Sequence, residues 1–160
     1  MLEIRSLTLE DRIMMQQPRG IRNNNPLNIR RTQSKWLGEV DSLKGQRDTA
    51  FCQFSSLAYG YRACAKLLQT YQIKHKLYVL DKIIGRWAPP SENDTRAYAI
   101  IVANQMTKEL GTPISVASLL DIIKDRATLR ALLVSMHLVE NGQLPSAIER
   151  EAINQALSML

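Results

Sequence analysis

The residues of this chain best suited to chemistry are carboxylates standing near indoles. Glu39, Asp41, Asp48, Glu92 and Asp94 are the acids close to polar, aromatic-bearing stretches. Trp36 precedes Glu39 by three residues, and Trp87 precedes Glu92 by five. That combination suits the cleavage of a sugar bond. One carboxylic acid protonates the leaving oxygen, and a second carboxylate or a positioned water handles the oxocarbenium-like centre. An aromatic face stacks on a sugar ring, and an apolar neighbour raises a carboxylic acid's pKa toward working pH. The same residues have plainer uses: tryptophans fill cores, and acids at 92 and 94 suit the start of a helix. Other chemistries lack a motif, since GxSxG, HExxH, GxGxxG and GxxxxGK[ST] are all absent. Cys52 and Cys64 lie in apolar-patterned segments and read as two reduced thiols. With only His75 and His137 beside them, and no Cys/His ligand spacing, no metal and no cofactor is expected.

The elements that must position these residues read as mainly α, with at most a small β element near residues 36–54. Residues 1–18 form a variable lead-in with a short helix over 8–17. Residues 19–160 form a single domain, its motif-bearing half at 19–98 and a helical scaffold at 99–160. The segment PRGIRNNNPLNIRRTQSK, from Pro18, holds three consecutive Asn, then Pro, then Asn again. Such a run favours turns, because Asn bonds its own backbone and tolerates the left-handed region. Asn is costly to bury unpaired, so this cluster needs partners, either loop backbone or a polar ligand.

Leu57, Tyr61, Cys64, Leu68 and Tyr71 recur at helical spacing behind Ser56, which predicts a helix over 56–74. A second runs from Tyr78 to Trp87 and stops at Ala88-Pro89-Pro90. A third follows Asp94, carries Tyr98, Ile101, Val102, Gln105 and Met106, and breaks at Gly111. A short helix is expected over 116–123. A longer one, through Leu129, Leu132, Leu133, Met136 and Val139, closes at Asn141-Gly142. Pro145 opens the last, with Ile148, Ala152, Ala156 and Met159 inward. Glu140, next to that Asn-Gly cap, is an acid without an assigned part and is read with the scaffold.

Composition bounds the partners. The chain has 160 residues, of which 45% are hydrophobic and 22% charged. That is enough apolar content to exclude disorder as the main state. No apolar run reaches the roughly 18 residues of a membrane span. The net charge is +6, but Arg19 to Arg86 alone holds 13 Lys/Arg against 4 Asp/Glu. Such an excess favours a polyanionic partner. Cell-wall glycan with its carboxylates is one candidate. Nucleic acid is another, disfavoured by the lack of a base-reading helix-turn-helix or RNA-type aromatic motif.

The stretches RGIRNNNPLNIR from Arg19, Trp36-Leu-Gly38, Phe51 to Ser55, Tyr59-Gly-Tyr-Arg62 and IGRWAPPSENDT from Ile84, with Tyr98, resemble a phage- and prophage-associated protein family. Many of its members are regarded as lysozyme-like. The order of features is also loosely similar to flagellar-type glucosaminidases. The resemblance covers roughly Arg19 to Tyr98. It implies a lysozyme-like helical domain directed at peptidoglycan, a glycosidase or lytic transglycosylase acting on wall glycan strands. Asn23, Asn24, Asn25, Arg30, Trp36, Trp87, Asn93 and Tyr98 would then bind substrate, and Glu92 or Glu39 would be the acid. In the glucosaminidases the catalytic Glu ends a helix just before the Asn-Asn loop. Here that region reads Met14-Met15-Gln16-Gln17-Pro18, with no acid to match. The alternative is therefore a non-catalytic virion or injection-system module that binds glycan or assembles with phage or secretion components. A nucleic-acid binder comes third. The N-terminal residues lack a secretory signal pattern. The expected route is synthesis in the cytoplasm and delivery by phage lysis, virion packaging or a secretion machine.

Overall fold

In a computed structural model of the chain, the structure describes residues 8–160. The part of the expected lead-in before residue 8 lies outside them. Among the described residues the fold is mainly helical. The elements are α1 (Leu9–Gln16), α2 (Arg19–Arg22), β1 (Glu39–Val40), β2 (Gln53–Phe54), α3 (Leu57–Ile73), α4 (Leu80–Trp87), α5 (Thr95–Leu110), α6 (Arg126–Asn141) and α7 (Ala147–Ser158). The strands pair antiparallel, Glu39 opposite Phe54 and Val40 opposite Gln53. This is the small β element the sequence allowed.

Local chemistry sets the helix ends. Ser56, Asp94, Asp125 and Ser146 each accept a hydrogen bond from a backbone N–H in the first turn of the helix that follows. Such caps are each worth about 1 kcal/mol. Ser146 and Glu149 complete a reciprocal capping box. Gly111 and Gly142 close α5 and α6 in the left-handed conformation. Helix α6 is central: from Thr128 to His137 only Arg130 is not buried. It packs on α5, α7, α3 and α2. A helix buried on nearly every side through its middle is one enclosed by others.

Three expectations are corrected. Residues 116–123 are not helical. Their backbone pairs instead with the start of α4, Leu80 N donating to Ser118 O at 3.0 Å and Leu120 N to Tyr78 O at 2.8 Å. The Gln72 amide locks the same segment, donating to Leu120 O at 2.7 Å and accepting from Ile122 N at 3.1 Å. On α7 the inner face is Ala152, Ile153, Ala156 and Leu157, while Ile148 is 79% exposed. On α5, Ile101 turns outward and Ala99 and Ala103 turn inward. In both helices the small alanines define the contact face, because they allow close approach to a neighbouring helix.

The Asn-rich segment, read as loop throughout, begins with the single turn α2. Asn24 and Asn28 then take φ of 52° and 58°, the left-handed region that Asn tolerates. The loop is seated on α3 at Gly60, where an added Cβ would fall 1.9 Å from the Asn24 carbonyl oxygen. No side chain but hydrogen fits there.

Candidate functional site

The asparagines divide by role. Asn25 is fully buried; its amide donates to Ile29 O at 2.9 Å and Cys52 O at 3.0 Å and accepts from Ile29 N at 2.9 Å. Asn24 donates to Phe54 O at 2.9 Å. Asn23 donates to Asp48 Oδ2 at 2.8 Å and accepts from Gln53 Nε2 at 3.3 Å. These side chains staple the loop to the strand that ends at Phe54, and none of the three lines a cavity of the cleft. Their need for partners is met by the protein itself. The following Asn28 points the other way, into the cleft.

The cleft consists of two adjoining cavities that share Asn28, Arg30, Trp87 and Glu92. One, of about 500 Å³, reaches out to Trp36, Tyr71 and Arg86. The other, of about 350 Å³, has Arg19, Phe51, Asn93 and Glu140 in its wall. Of the residues expected to bind substrate, Arg30, Trp36, Trp87 and Asn93 line the cleft, as does the expected acid Glu92. Tyr98 lies beneath it, 5% exposed. Glu39 lies elsewhere. Its side chain is 2% exposed, pairs with Arg31 at 3.2 Å and accepts from Trp36 N at 3.1 Å. It lines neither cavity. The Glu39–Arg31 pair holds the two-stranded sheet to the loop, Arg31 also reaching Asp48 O at 2.6 Å.

Glu140, the acid that the sequence leaves with the helical scaffold, lines this cleft. It stands in the last turn of α6 and projects into the smaller cavity. Asn28 Nδ2 donates to its Oε1 at 2.9 Å and Tyr98 OH to its Oε2 at 2.9 Å. Burial pushes its carboxyl up from the ordinary range, against the hydrogen bonds from Asn28, Tyr98 and Trp87 that favour the charged form. Next to it, Asn141 Nδ2 donates to Pro26 O at 2.8 Å, so the end of α6 is tied to the loop twice.

Across the same cavity Arg19 is held in place by a bidentate pair with Asp48 at 2.6 and 2.7 Å and lies 4.5 Å over the Phe51 ring. The Arg19 guanidinium, with the amides of Phe51, Asn23 and Ala50, keeps the Asp48 carboxyl well below the usual range. Asp48 is therefore a fixed anion that anchors the wall and has no proton to give. Cys52 and Cys64 are free and buried, and burial raises both thiols. Among the described residues no group of three His, Cys, Asp or Glu could hold a metal ion, and no helix is long and apolar enough to cross a membrane.

No family model matches the chain. It is similar to Protein P5 of Pseudoalteromonas phage PM2, 43% identical over 90 residues, which cover 54% of each protein. The chain thus matches about half the length of that curated relative, and its demonstrated kinship is with a phage protein.

Proposed function

We propose that the cleft binds a glycan strand of the bacterial cell wall and that Glu140 is the acid that cleaves it. The observation carrying this is the Glu140 carboxyl itself: half-buried, raised in pKa, and set in the wall of an aromatic-lined cleft. It supplies in space the acid for which the Asn-rich segment has no counterpart in the residues just before it. Trp87 and Trp36 offer flat faces for sugar rings, and Asn28 and Asn93 offer amides for hydroxyl or N-acetyl groups. In the reaction the Glu140 carboxyl gives its proton to the glycosidic oxygen as the C1–O bond breaks. Water, or the sugar's own 6-hydroxyl, then adds to C1 and returns a proton to the Glu140 carboxylate. Glu92, exposed on the shared rim, faces the developing positive charge.

A second reading is a wall-binding module of a phage particle that does not cut. One observation favours it: both Glu140 oxygens already serve as ties between α6, the loop and α5. The two readings separate on purified sacculi with released muropeptides read by mass spectrometry. Cleavage predicts new reducing or anhydro ends, lost by about 10²–10⁴-fold in Glu140→Gln. Binding of sacculi with no released product, by wild type and Glu140→Gln alike, overturns catalysis and leaves the module.

A further inference from the structure

The two cavities differ in charge. In the smaller one Arg19 is neutralised by Asp48, and Glu140 and Glu92 are the remaining charged groups beside Arg30. In the larger one Arg30, Lys35 and Arg86 face a single acid, Glu92. Arg86 lies 5.3 Å over the Tyr71 ring and Arg30 lies 5.0 Å over the Phe51 ring. Neither guanidinium has a carboxylate partner among the described residues. Rings hold them in place and leave their N–H edges free. Lys35 pairs with Asp41, but both are exposed, and such a pair is readily exchanged for another anion. Preset, unpaired guanidiniums in a concave site beside two indoles are recognition groups for an anion attached to a stacking, uncharged body.

We infer that this cationic chamber reads carboxylates borne by the glycan, so that Arg86, with Arg30 and Lys35, selects an acid-substituted strand over a neutral one. This rests on the proposed glycan-binding function. The carboxylate could be the one on the sugar's own lactyl ether or those of an attached peptide. The polarity also orients the strand: the carboxylate-bearing unit sits on the Trp36 side of Trp87, away from Glu140.

The test is a binding comparison at equal strand length. The ligands are peptide-bearing glycan, the same glycan stripped of peptide by an amidase, and a neutral chitin oligosaccharide. Expected is at least tenfold tighter binding of one or both carboxylate-bearing strands than of chitin oligosaccharide, lost as salt rises. Tightness for the stripped strand assigns the lactyl carboxylate, and tightness only for the peptide-bearing strand assigns the peptide. Arg86→Gln, and independently Lys35→Gln, should narrow the ratio to within about twofold. Equal binding of all three strands overturns the inference and leaves the glycan cleft standing. Binding of none overturns both. Competition by a single-stranded oligonucleotide as effective as that by the peptide-bearing strand also overturns it, in favour of a general polyanion site.

Discussion

Asn28 Nδ2 lies 2.9 Å from Glu140 Oε1, a hydrogen bond between residues 112 positions apart in the chain. It joins the left-handed tip of the Asn loop to the last turn of α6, and it donates to the charged form of the carboxyl. Removing it, or the matching bond from Tyr98, removes a stabilisation of the carboxylate and lets burial dominate. Tyr98→Phe and Asn28→Ala should therefore raise the Glu140 pKa further. The proposed cleavage needs the protonated acid, so activity should fall as pH rises through that pKa. In both variants the alkaline limb of the kcat profile should move to higher pH, while the limb stays in place for Asn93→Ala, which lines the same cavity without touching the carboxyl.

Glu140 should also cost stability. Its folded pKa lies above that of the unfolded chain, so it favours folding only while protonated and opposes folding once pH rises through the folded value. Glu140→Gln should melt higher than wild type at pH 7, by about 2–4 °C for each kcal/mol recovered. The gap should close as pH falls toward 4, where the wild-type carboxyl is itself neutral. Equal melting temperatures at all pH values would show that the carboxylate is already fully compensated.

Gly60 should resist any substitution. Its Cβ would meet a backbone carbonyl, that of Asn24, at 1.9 Å, and a backbone carbonyl cannot swing aside as a flexible side chain can. Gly60→Ala should cost about 3 kcal/mol or more, at or beyond the upper end of ordinary overpacking. Denaturant unfolding measures this. Gly85→Ala, on α4 with nothing within 4 Å of a Cβ, is the control and should be neutral or slightly stabilising.

His137 should make the fold acid-sensitive. It is buried in α6, Tyr61 OH lies 2.7 Å from its Nδ1, and Glu149 approaches its Nε2 at 3.9 Å. Burial lowers its pKa despite the pull of Glu149 in the opposite direction. The unfolded chain then takes up this proton more readily, so stability is lost as pH falls below about 6.5 toward the folded value. His137→Gln should flatten the stability curve between pH 7 and 5, read by urea midpoints at each pH.

Much of the helical frame was legible because its signals are local. Ser56, Asp94, Gly111 and Gly142 mark helix ends through their own side chains or φ angles. The 116–123 segment misled because apolar residues at helical spacing also fit a strand-like stretch, and only the distant Gln72 and Tyr78 decide between the two. The Asn cluster was recognisable as demanding partners, but a sequence does not say whether those partners are protein or ligand. Glu140 stood out as an unplaced acid, but its place in the cleft was hidden for a similar reason. Its position beside Asn141-Gly142, at the end of a helix with a broad buried face, was the one signal available. What gives the acid its environment comes from Asn28 and Tyr98, each more than 40 positions away.

The chain order of the cleft has a consequence in time. Its walls come from Pro18 through Asn93, whereas the carboxyl that faces them belongs to α6. A ribosome therefore finishes the loop, both indoles and the cationic chamber well before it adds residue 140. A chain that has not yet added α6 lacks the Glu140 carboxyl and also the bonds by which Asn28 and Pro26 hold the loop to that helix, so docking of α6 completes the cleft in a single late step.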